Sequence, residues 1–147
     1  MSIRPMQISD LPKVLEIEQD LFPSDAWTEQ LFLDEMAQVP SSRAVSVIEI
    51  AGHLIGYASL RFVGREGDVN TIAIAKEYQG KGFGKLLLDW MLETAKLNGV
   101  KELFLDVRAD NQAAIGLYQK EGFDRIDIRR NYYDHKIDAL VMRKKLS

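Results

Sequence analysis

A glycine-rich and basic segment, QGKGFGK at residues 79–85, lies where a predicted strand ends and a predicted helix begins. Its glycines have no Cβ, so the backbone can turn tightly and several N–H groups can converge on one ligand. The N-terminus of the following helix adds about half a positive charge. Lys81 and Lys85 add formal charge. Together these features favour the binding of a pyrophosphate group.

The spacing inside this segment distinguishes three phosphate-binding patterns. A nucleoside triphosphate P-loop has Gly-Lys followed by Ser or Thr to hold magnesium, whereas Gly84-Lys85 is followed by Leu86. A dinucleotide-binding loop has a further glycine three residues after its second one, and here that position is Leu87. The segment fits the third phosphate-binding pattern, Gln-x-x-Gly-x-Gly, with Gln79, Gly82 and Gly84. The alternative to a binding site is a glycine-rich turn that only begins a helix.

Two further residues can move protons. Asp106 lies with Phe104 on one face of a predicted strand that is otherwise apolar, so its carboxylate needs a partner or a use. Tyr118 carries a phenol with an ordinary pKa of about 10, so it is protonated at neutral pH and can donate a proton. Structural alternatives stay open for both residues. Asp106 can bond the helix start near Asn111, and Tyr118 can be a core aromatic at helical spacing from Ala114.

Predicted helices and strands position these residues. Helical spacing, capping residues and glycine stops predict helices over about residues 10–21, 28–38, 83–97 and 111–120. Alternation and β-branched clusters predict strands over residues 44–50, 54–63, 68–75, 101–108, 123–130 and 138–146, the first two forming a hairpin. On the third helix the predicted buried stripe is Phe83, Leu86, Leu87, Trp90, Met91 and Leu97. The strands on either side of this helix should be parallel.

The composition bounds the class of protein. A chain of 147 residues allows one domain, over 1–147, with a substantial core. Cysteine is absent and only His53 and His135 are left as typical metal ligands, so no metal site is expected. No apolar run approaches the ~20 residues of a membrane span, and the net charge of -3 gives no overall attraction to nucleic acid. We therefore expect a cytoplasmic protein that binds neither membrane nor nucleic acid.

The Gln-x-x-Gly-x-Gly pattern and its setting resemble the coenzyme A-binding segment of the GNAT acetyltransferases, and the resemblance covers nearly the whole chain. It implies a GNAT-type fold of the α/β (α+β) class, with a central mixed, twisted β-sheet flanked by helices. It also implies acetyl-CoA as cosubstrate. The coenzyme contacts that it implies are Ile72, Ala73, Ile74, Gln79, Gly80, Lys81, Gly82, Phe83, Gly84, Lys85, Asn111 and Tyr118.

The same resemblance implies catalytic roles. Tyr118 matches the general acid of the family, and Asp106 stands where the family pattern has a glutamate that acts as general base. The backbone of residues 72–74 would pair with the pantetheine arm and donate an N–H to the acetyl carbonyl. Direct attack by the substrate amine is expected, since the chain has neither a cysteine nor an obvious serine–histidine pair for a covalent intermediate.

Three segments carry a narrower resemblance: residues 22–32 (FPSDAWTEQLF), 105–123 (LDVRADNQAAIGLYQKEGF) and 129–142 (RRNYYDHKIDALVM). They resemble the branch of GNAT enzymes that acetylates the N-terminal alanine of a bacterial small-subunit ribosomal protein. A loop with two tyrosines, facing an apolar linker, would wall a groove that holds a peptide. The predicted substrate contacts are Phe22, Trp27, Asp68, Asn70, Tyr132 and Tyr133. Asp68 and Asn70 are expected on the same strand face as Ile72, as second candidates for the proton relay.

The kind of amine can be argued from its pKa. An α-amino group, near ~7.7–8.0, keeps a useful neutral fraction at cellular pH, whereas a lysine near ~10.4 needs a stronger base. An N-terminal amine therefore suits a shorter aspartate base. Acetylation of a protein lysine or a small-molecule amine, and a non-catalytic coenzyme A-binding regulatory module, stay as alternatives, as does a merely structural role for the aromatics at the domain edge. The expected partners are acetyl-CoA and a protein N-terminus, with the chain a monomer or weak dimer.

Overall fold

Seven strands form one mixed β-sheet in the computed structural model, which describes residues 1–133 and 136–146. The strands are β1 (Ser2–Pro5), β2 (Arg43–Ile50), β3 (His53–Val63), β4 (Glu66–Ile74), β5 (Glu102–Arg108), β6 (Asp124–Tyr133) and β7 (Ile137–Lys145). The α-helices in these ranges are α1 (Leu11–Leu21), α2 (Glu29–Ala37), α3 (Phe83–Leu97) and α4 (Gln112–Lys120), with 3-10 turns at Ile8–Asp10 and Lys76–Tyr78. The strand order is β1-β2-β3-β4-β5-β7-β6. The predicted mixed sheet flanked by helices is confirmed.

The core has two parts, one on each face of the sheet. Adjacent residues of β2, such as Val47 and Ile48, belong to different apolar clusters, as expected when side chains alternate between the faces. One cluster joins α1 and α2 to the sheet and includes Leu11, Val14, Ile17, Phe32, Val45, Tyr57 and Ala73. The other joins α3 and α4 to the opposite face and includes Leu87, Leu88, Met91, Leu103, Ile115, Phe123 and Met142.

The two central strands separate along their length. β4 and β5 run parallel and pair only from Glu66 with Glu102 to Val69 with Leu105. Beyond those positions the described residues of the two strands form no further pairs, although β4 stays paired with β3 as far as Ile74 and β5 stays paired with β7. A gap therefore opens in the middle of the sheet. The predicted parallel strand–helix–strand unit is confirmed, since α3 connects these two strands.

A β-bulge interrupts β4 beside this gap. Ser59 of β3 pairs with Thr71 and Leu60 pairs with Val69, so Asn70 has no counterpart. The extra residue shifts the alternation of side chains along β4. Asn70 accordingly bonds to Glu35 of α2, whereas Ile72 packs into the cluster on the opposite face. The expectation that Asn70 shares a face with Ile72 is wrong, because sequence alternation cannot show a bulge.

The buried stripe of α3 differs in part from the prediction. Leu87, Leu88 and Met91 are fully buried, whereas Leu86 is 39% exposed and Leu97 is 81% exposed. Each residue of an α-helix advances about 100° around the axis, so Leu86 and Leu97 both lie more than about 90° from the middle of the stripe that Leu87, Leu88 and Met91 form. Ala95 takes the buried position one turn after Met91.

The ends of the chain contain two departures from prediction. β1 was not predicted from its four residues, which include a proline and show no alternation; it pairs antiparallel with β2 at the sheet edge. β6 continues to Tyr133, so Tyr132 and Tyr133 belong to a strand and not to a loop. Within the described ranges no helix is long and apolar enough to cross a membrane.

Candidate active site

Two cavities meet where β4 and β5 separate. The first, here called the inter-strand cleft, has a volume of about 190 Å³. Its lining includes Glu18, Phe22, Asp25, Ile72, Val107, Arg108, Asn111 and Tyr118. The second, here called the outer groove, has a volume of about 590 Å³. Its lining includes Glu66, Asp68, Phe104, Arg129, Tyr132 and Val141.

The cleft and the groove share six lining residues: Trp27, Val69, Asn70, Leu105, Asp106 and Tyr133. We call this shared set the junction. Three of its side chains, those of Asn70, Asp106 and Tyr133, carry oxygen atoms that can bond a ligand. A molecule that enters from the groove and another that lies in the cleft would therefore meet beside these three side chains.

Tyr118 is on the cleft side of the junction. It is 7% exposed, lies on α4, and packs its ring edge-on against Phe123 at 5.8 Å between centroids. Burial raises the pKa of its hydroxyl, and the neighbouring Tyr133 raises it further. Among residues 1–133 and 136–146 nothing bonds this hydroxyl. The phenol is therefore protonated at neutral pH and borders the cleft as a proton donor.

Asp106 has a cationic partner at the groove side. Arg129 Nε lies 3.5 Å from its Oδ1 atom. The neighbouring Leu105 and Val107 point into the core, so Asp106 is on the partly exposed face of β5. The alternative role of Asp106 was a bond to the start of the helix near Asn111. Another residue fills that role, because Asn111 Oδ1 caps α4 by accepting from Ala114 N at 3.1 Å.

The glycine-rich turn connects β4 to α3 through two glycines in the left-handed region. Gly80 and Gly82 have φ angles of 75° and 90°, which favour glycine. Gly82 is the N-cap of α3 and supplies no capping side chain, so the first N–H groups of the helix face outward to a ligand or solvent. Gln79 Nε2 donates to the carbonyl of Ile74 at 2.8 Å and so fixes the turn to the end of β4.

The two lysines of the turn have different surroundings. The ammonium of Lys81 lies 5.7 Å from the ring centroid of Tyr78, close to the turn. Lys85 instead bonds Asp89 at 2.8 Å and lies 3.4 Å from Glu121. Those two carboxylates, Asp89 first, raise the pKa of Lys85. Lys81 is therefore the better placed of the two for a phosphate at the turn.

Aromatic side chains wall the groove as the sequence suggested, with one correction. Tyr132 and Tyr133 form an edge-on pair at 5.1 Å, but they do so from β6 and not from a loop. Trp27, from the linker between α1 and α2, packs against Phe32 at 5.1 Å. Burial raises the pKa of Tyr133 to about 12, with a further contribution from Asp106. Phe22 lines the cleft rather than the groove.

Asp68 and the two histidines are the other residues that the sequence pointed to. Asp68 lines the groove, and its carboxylate bonds Arg61 at 3.1 Å. His53 is exposed at the start of β3, while His135 lies outside the described residues. Within residues 1–133 and 136–146 no group of three or more His, Cys, Asp or Glu side chains is arranged to hold a metal ion.

Glu18 is a cleft residue that the sequence analysis did not single out. It is 2% exposed and accepts from the backbone N–H of Trp27 at 3.0 Å and from the hydroxyl of Tyr57. Burial raises its pKa, although the two bonds oppose that effect. Glu18 thereby holds the linker, and Trp27 with it, against the sheet. The sequence did contain a signal for this role. Glu18 lies on the apolar stripe of α1 with Leu11 and Val14, where a charged side chain needs a partner.

Arg108 is a second residue that sequence reasoning missed. Its Nη1 atom bonds Asp25 of the α1–α2 linker at 3.0 Å, and its Nε atom bonds Asp110 at 3.1 Å. Its guanidinium also lies 5.3 Å from the ring centroid of Tyr133. Arg108 therefore connects the linker, the end of β5 and the end of β6 around the cleft. No local sequence pattern predicts this role, because the contacts with Asp25 and Tyr133 join residues that are distant in sequence.

Known proteins resemble this chain in sequence and in fold. The sequence pattern of the Acetyltransferase (GNAT) family matches residues 11–123 of the chain. The chain therefore belongs to the GNAT acetyltransferase family, whose enzymes use acetyl-CoA as cosubstrate. The predictions of this family and of an N-acetyltransferase are confirmed.

Individual relatives cover nearly the whole chain. N-alpha-acetyltransferase RimI of Mycobacterium tuberculosis is 37% identical over 150 residues, covering 98% of this chain and 92% of that protein. The ribosomal protein bS18-alanine N-acetyltransferase of Escherichia coli K12 is 33% identical over 151 residues, covering 99% and 98%. The crystal structure of the ribosomal-protein-S18-alanine N-acetyltransferase from Escherichia coli matches with a TM-score of 0.87 at 32% identity, covering 99% and 94%. The predicted function is the one for which these relatives are named.

Proposed function

We propose that this protein transfers the acetyl group of acetyl-CoA to the α-amine of an N-terminal alanine on a small-subunit ribosomal protein of the bS18 type. The observation that carries the proposal is the junction: a cleft lined by the unpaired part of β4 and a separate groove meet at Asp106, with Tyr118 on the cleft side. The name of the relative at 33% identity indicates the alanine of bS18 as substrate, and the name of the relative at 37% identity indicates an α-amine. Action on a ribosomal protein would place the enzyme in the cytoplasm.

Acetyl-CoA fits the cleft and turn. The outward N–H groups at Gly82 and the ammonium of Lys81 suit the pyrophosphate. The unpaired edge of β4 at residues 72–74 suits the amide groups of the pantetheine arm. Asn111 and Tyr118 line the cleft where the arm would continue toward the junction. Gln79, Gly80, Phe83, Gly84 and Lys85 complete the turn.

The reaction is an aminolysis of the thioester. The amine nitrogen attacks the thioester carbonyl carbon, the carbon–sulfur bond breaks, and the amine loses a proton. Asp106, at the junction, is the proposed acceptor of that proton, directly or through a water molecule. Tyr118 donates a proton to the departing thiolate, and the phenol is suited to this because burial keeps it protonated.

The outer groove suits a peptide that enters with its N-terminus first. Trp27, Phe104, Tyr132 and Tyr133 supply aromatic surface, while Asp68 and Asp106 supply acceptors for a cationic N-terminus. An N-terminal α-amine needs little help to lose its proton at neutral pH, in contrast to a lysine. A weakly basic aspartate therefore suffices. The monomer or weak dimer stays a prediction.

The test uses two peptides that both begin with alanine and have the same sequence except at one position. In the first the N-terminus is free and lysine is absent. In the second the N-terminus is blocked and a lysine is present. Mass spectrometry after incubation with acetyl-CoA should find acetyl only on the free N-terminus. Transfer to the lysine would indicate a side-chain acetyltransferase, and transfer to neither would exclude peptide amines as substrates.

A further inference from the structure

A buried carboxylate reaches from α2 to the junction. Glu35 is 9% exposed and accepts three hydrogen bonds, each 2.7 Å long, from Ser59 Oγ, Asn70 Nδ2 and Arg43 Nε. Burial alone would raise its pKa, but the bonds from Asn70, Arg43 and Ser59 outweigh burial and hold the pKa below its ordinary value. Glu35 therefore stays ionised and acts only as an acceptor.

Asn70, one of the three donors, has an unusual position in the sheet. It is the unmatched residue of the β4 bulge, next to the point where β4 and β5 separate. It also lines both the cleft and the groove. Bulges beside active sites commonly redirect a side chain, and here the bulge turns Asn70 to the face on which Glu35 lies. The same bulge brings Asn70 to the junction.

The carboxylate fixes the orientation of the Asn70 amide. An ionised carboxylate cannot donate, so the amide must present its NH₂ group to Glu35 and its carbonyl oxygen elsewhere. Within residues 1–133 and 136–146 no donor bonds that Oδ1 atom. We propose that Asn70 Oδ1 accepts a hydrogen bond from the attacking amine, and that Glu35 is the positioning residue that holds it in place. This proposal rests on the proposed function and assigns the second acceptor for the amine.

The chemistry of the amine explains why a second acceptor matters. A neutral primary amine has two N–H groups and one lone pair, and the lone pair must point at the thioester carbon. With one N–H on Asp106 and the other on Asn70, the lone pair has a defined direction. A neutral carbonyl also orients the amine without stabilising its protonated form as a second carboxylate would.

A distinctive consequence follows for secondary amines. A peptide that begins with N-methylalanine has only one N–H in its neutral form, so it cannot bond both acceptors. The wild-type protein should therefore prefer alanine to N-methylalanine. Replacing Asn70 should reduce that preference, because the variant offers a single acceptor to both substrates. A purely structural role for Asn70 would slow both substrates equally.

The experiment compares wild type, Asn70→Leu, Glu35→Gln and the double variant on an alanine peptide and its N-methyl analogue. Asn70→Leu keeps the shape and should lower kcat/KM for the alanine peptide about tenfold, the effect of one lost hydrogen bond. The KM for acetyl-CoA should be unchanged. Glu35→Gln should lower kcat/KM in the wild-type background and have no further effect in the Asn70→Leu background. Asn70→Ala replaces Asn70→Leu if the larger side chain prevents folding.

Ser59→Ala is the matched control, because Ser59 bonds the same Glu35 oxygen without lining the junction. It should reduce stability and leave kcat/KM and the preference for alanine unchanged. An Asn70 variant with wild-type kcat/KM, or with an unchanged preference for alanine, overturns the role of Asn70. An equal effect of Glu35→Gln in both backgrounds overturns the role of Glu35. Absence of transfer to any peptide by the wild-type protein overturns the proposed function itself, and this inference with it.

Discussion

The Nε atom of Arg129 lies 3.5 Å from Oδ1 of Asp106, so a cation stands beside the carboxylate that is proposed as the general base. The two side chains are 55% and 33% exposed, so water screens the pair and its contribution to stability is small. The same guanidinium lies 5.8 Å from the ring centroid of Tyr132 on the groove wall. An amine that approaches Asp106 from the groove must therefore compete with Arg129.

Arg129→Gln should lower the KM for the peptide. An exposed ion pair is worth about 0.2–1 kcal/mol, so its removal should lower KM by a factor of about 1.4 to 5 and leave the KM for acetyl-CoA unchanged. Arg130→Gln is the control, since Arg130 pairs with Asp138 at 3.2 Å and not with Asp106. Steady-state kinetics with each substrate varied checks this. A higher peptide KM in Arg129→Gln would show instead that Arg129 binds the peptide.

Tyr118→Phe should remove the proton donor and keep the ring in place against Phe123. We expect kcat to fall about 10²-fold or more, the usual effect of a lost general acid. Coenzyme A affinity, measured by calorimetry, should be retained, and the midpoint of thermal unfolding should change little because the apolar contacts are kept. Turnover equal to that of the wild type would remove Tyr118 from the proposed role.

Glu18→Gln should change how stability depends on pH. The pKa of Glu18 is raised in the folded protein from its ordinary value of 4.5, so the folded state binds the proton more tightly than the unfolded state. The stability that this group contributes is full below pH 4.5 and is lost as the pH rises through the folded-state pKa. Glu18→Gln should therefore become more stable relative to wild type as the pH rises, measured by urea unfolding.

Glu35→Gln is the matched comparison, with the opposite sign. The pKa of Glu35 lies below its ordinary value of 4.5, so its contribution is present above that pH and is lost as the pH falls. Glu35→Gln should become less stable relative to wild type as the pH rises. Parallel pH curves for the two variants would contradict the assignment of opposite surroundings to these two glutamates.

Gly82→Ala should weaken the turn. Gly82 has a φ of 90°, a conformation that costs an alanine about 1–2 kcal/mol. We expect lower stability and weaker coenzyme A binding, both measurable by thermal unfolding with and without the coenzyme. Gly116→Ala is the control, because Gly116 lies within α4 and a Cβ there would meet no atom within 4 Å apart from its chain neighbours and the backbone of its own helix. This change should stabilise the helix by about 0.5–1 kcal/mol. Unchanged stability and unchanged coenzyme A binding in Gly82→Ala would show that the turn can adopt another backbone conformation.

The sequence predicted the elements whose patterns repeat over several turns or strands. α3, the β2–β3 hairpin and the parallel β4–β5 unit are all where periodicity indicated. The bulge at Asn70 was not predictable, because an inserted residue leaves no mark on composition and only shifts the pairing with β3. The extension of β6 to Tyr133 depends on pairing with β7, which a polar aromatic sequence does not reveal.

The candidate site shows the same division. The turn follows from a local sequence pattern and Tyr118 from the family resemblance, and the structure has Tyr118 in the lining of the cleft and Gly82 at the start of α3. The contacts that hold the elements around the cleft together do not follow from local patterns, since Glu18 reaches Tyr57 across 39 residues and Arg108 reaches Asp25 across 83. Such contacts exist only once the sheet has brought α1, its following linker and β5 together.

The gap between β4 and β5 also bears on aggregation. Unpaired strand edges at the rim of a sheet offer N–H and C=O groups to any extended chain, and so recruit strands of other molecules. Here the unpaired edges lie in the interior, between the α1–α2 linker on one side and α4 on the other. An extended chain of another molecule would meet these covering elements before it reached the unpaired backbone groups. The fold thus keeps these backbone groups available for the proposed arm of acetyl-CoA, while the linker and α4 cover them against a strand of a second protein.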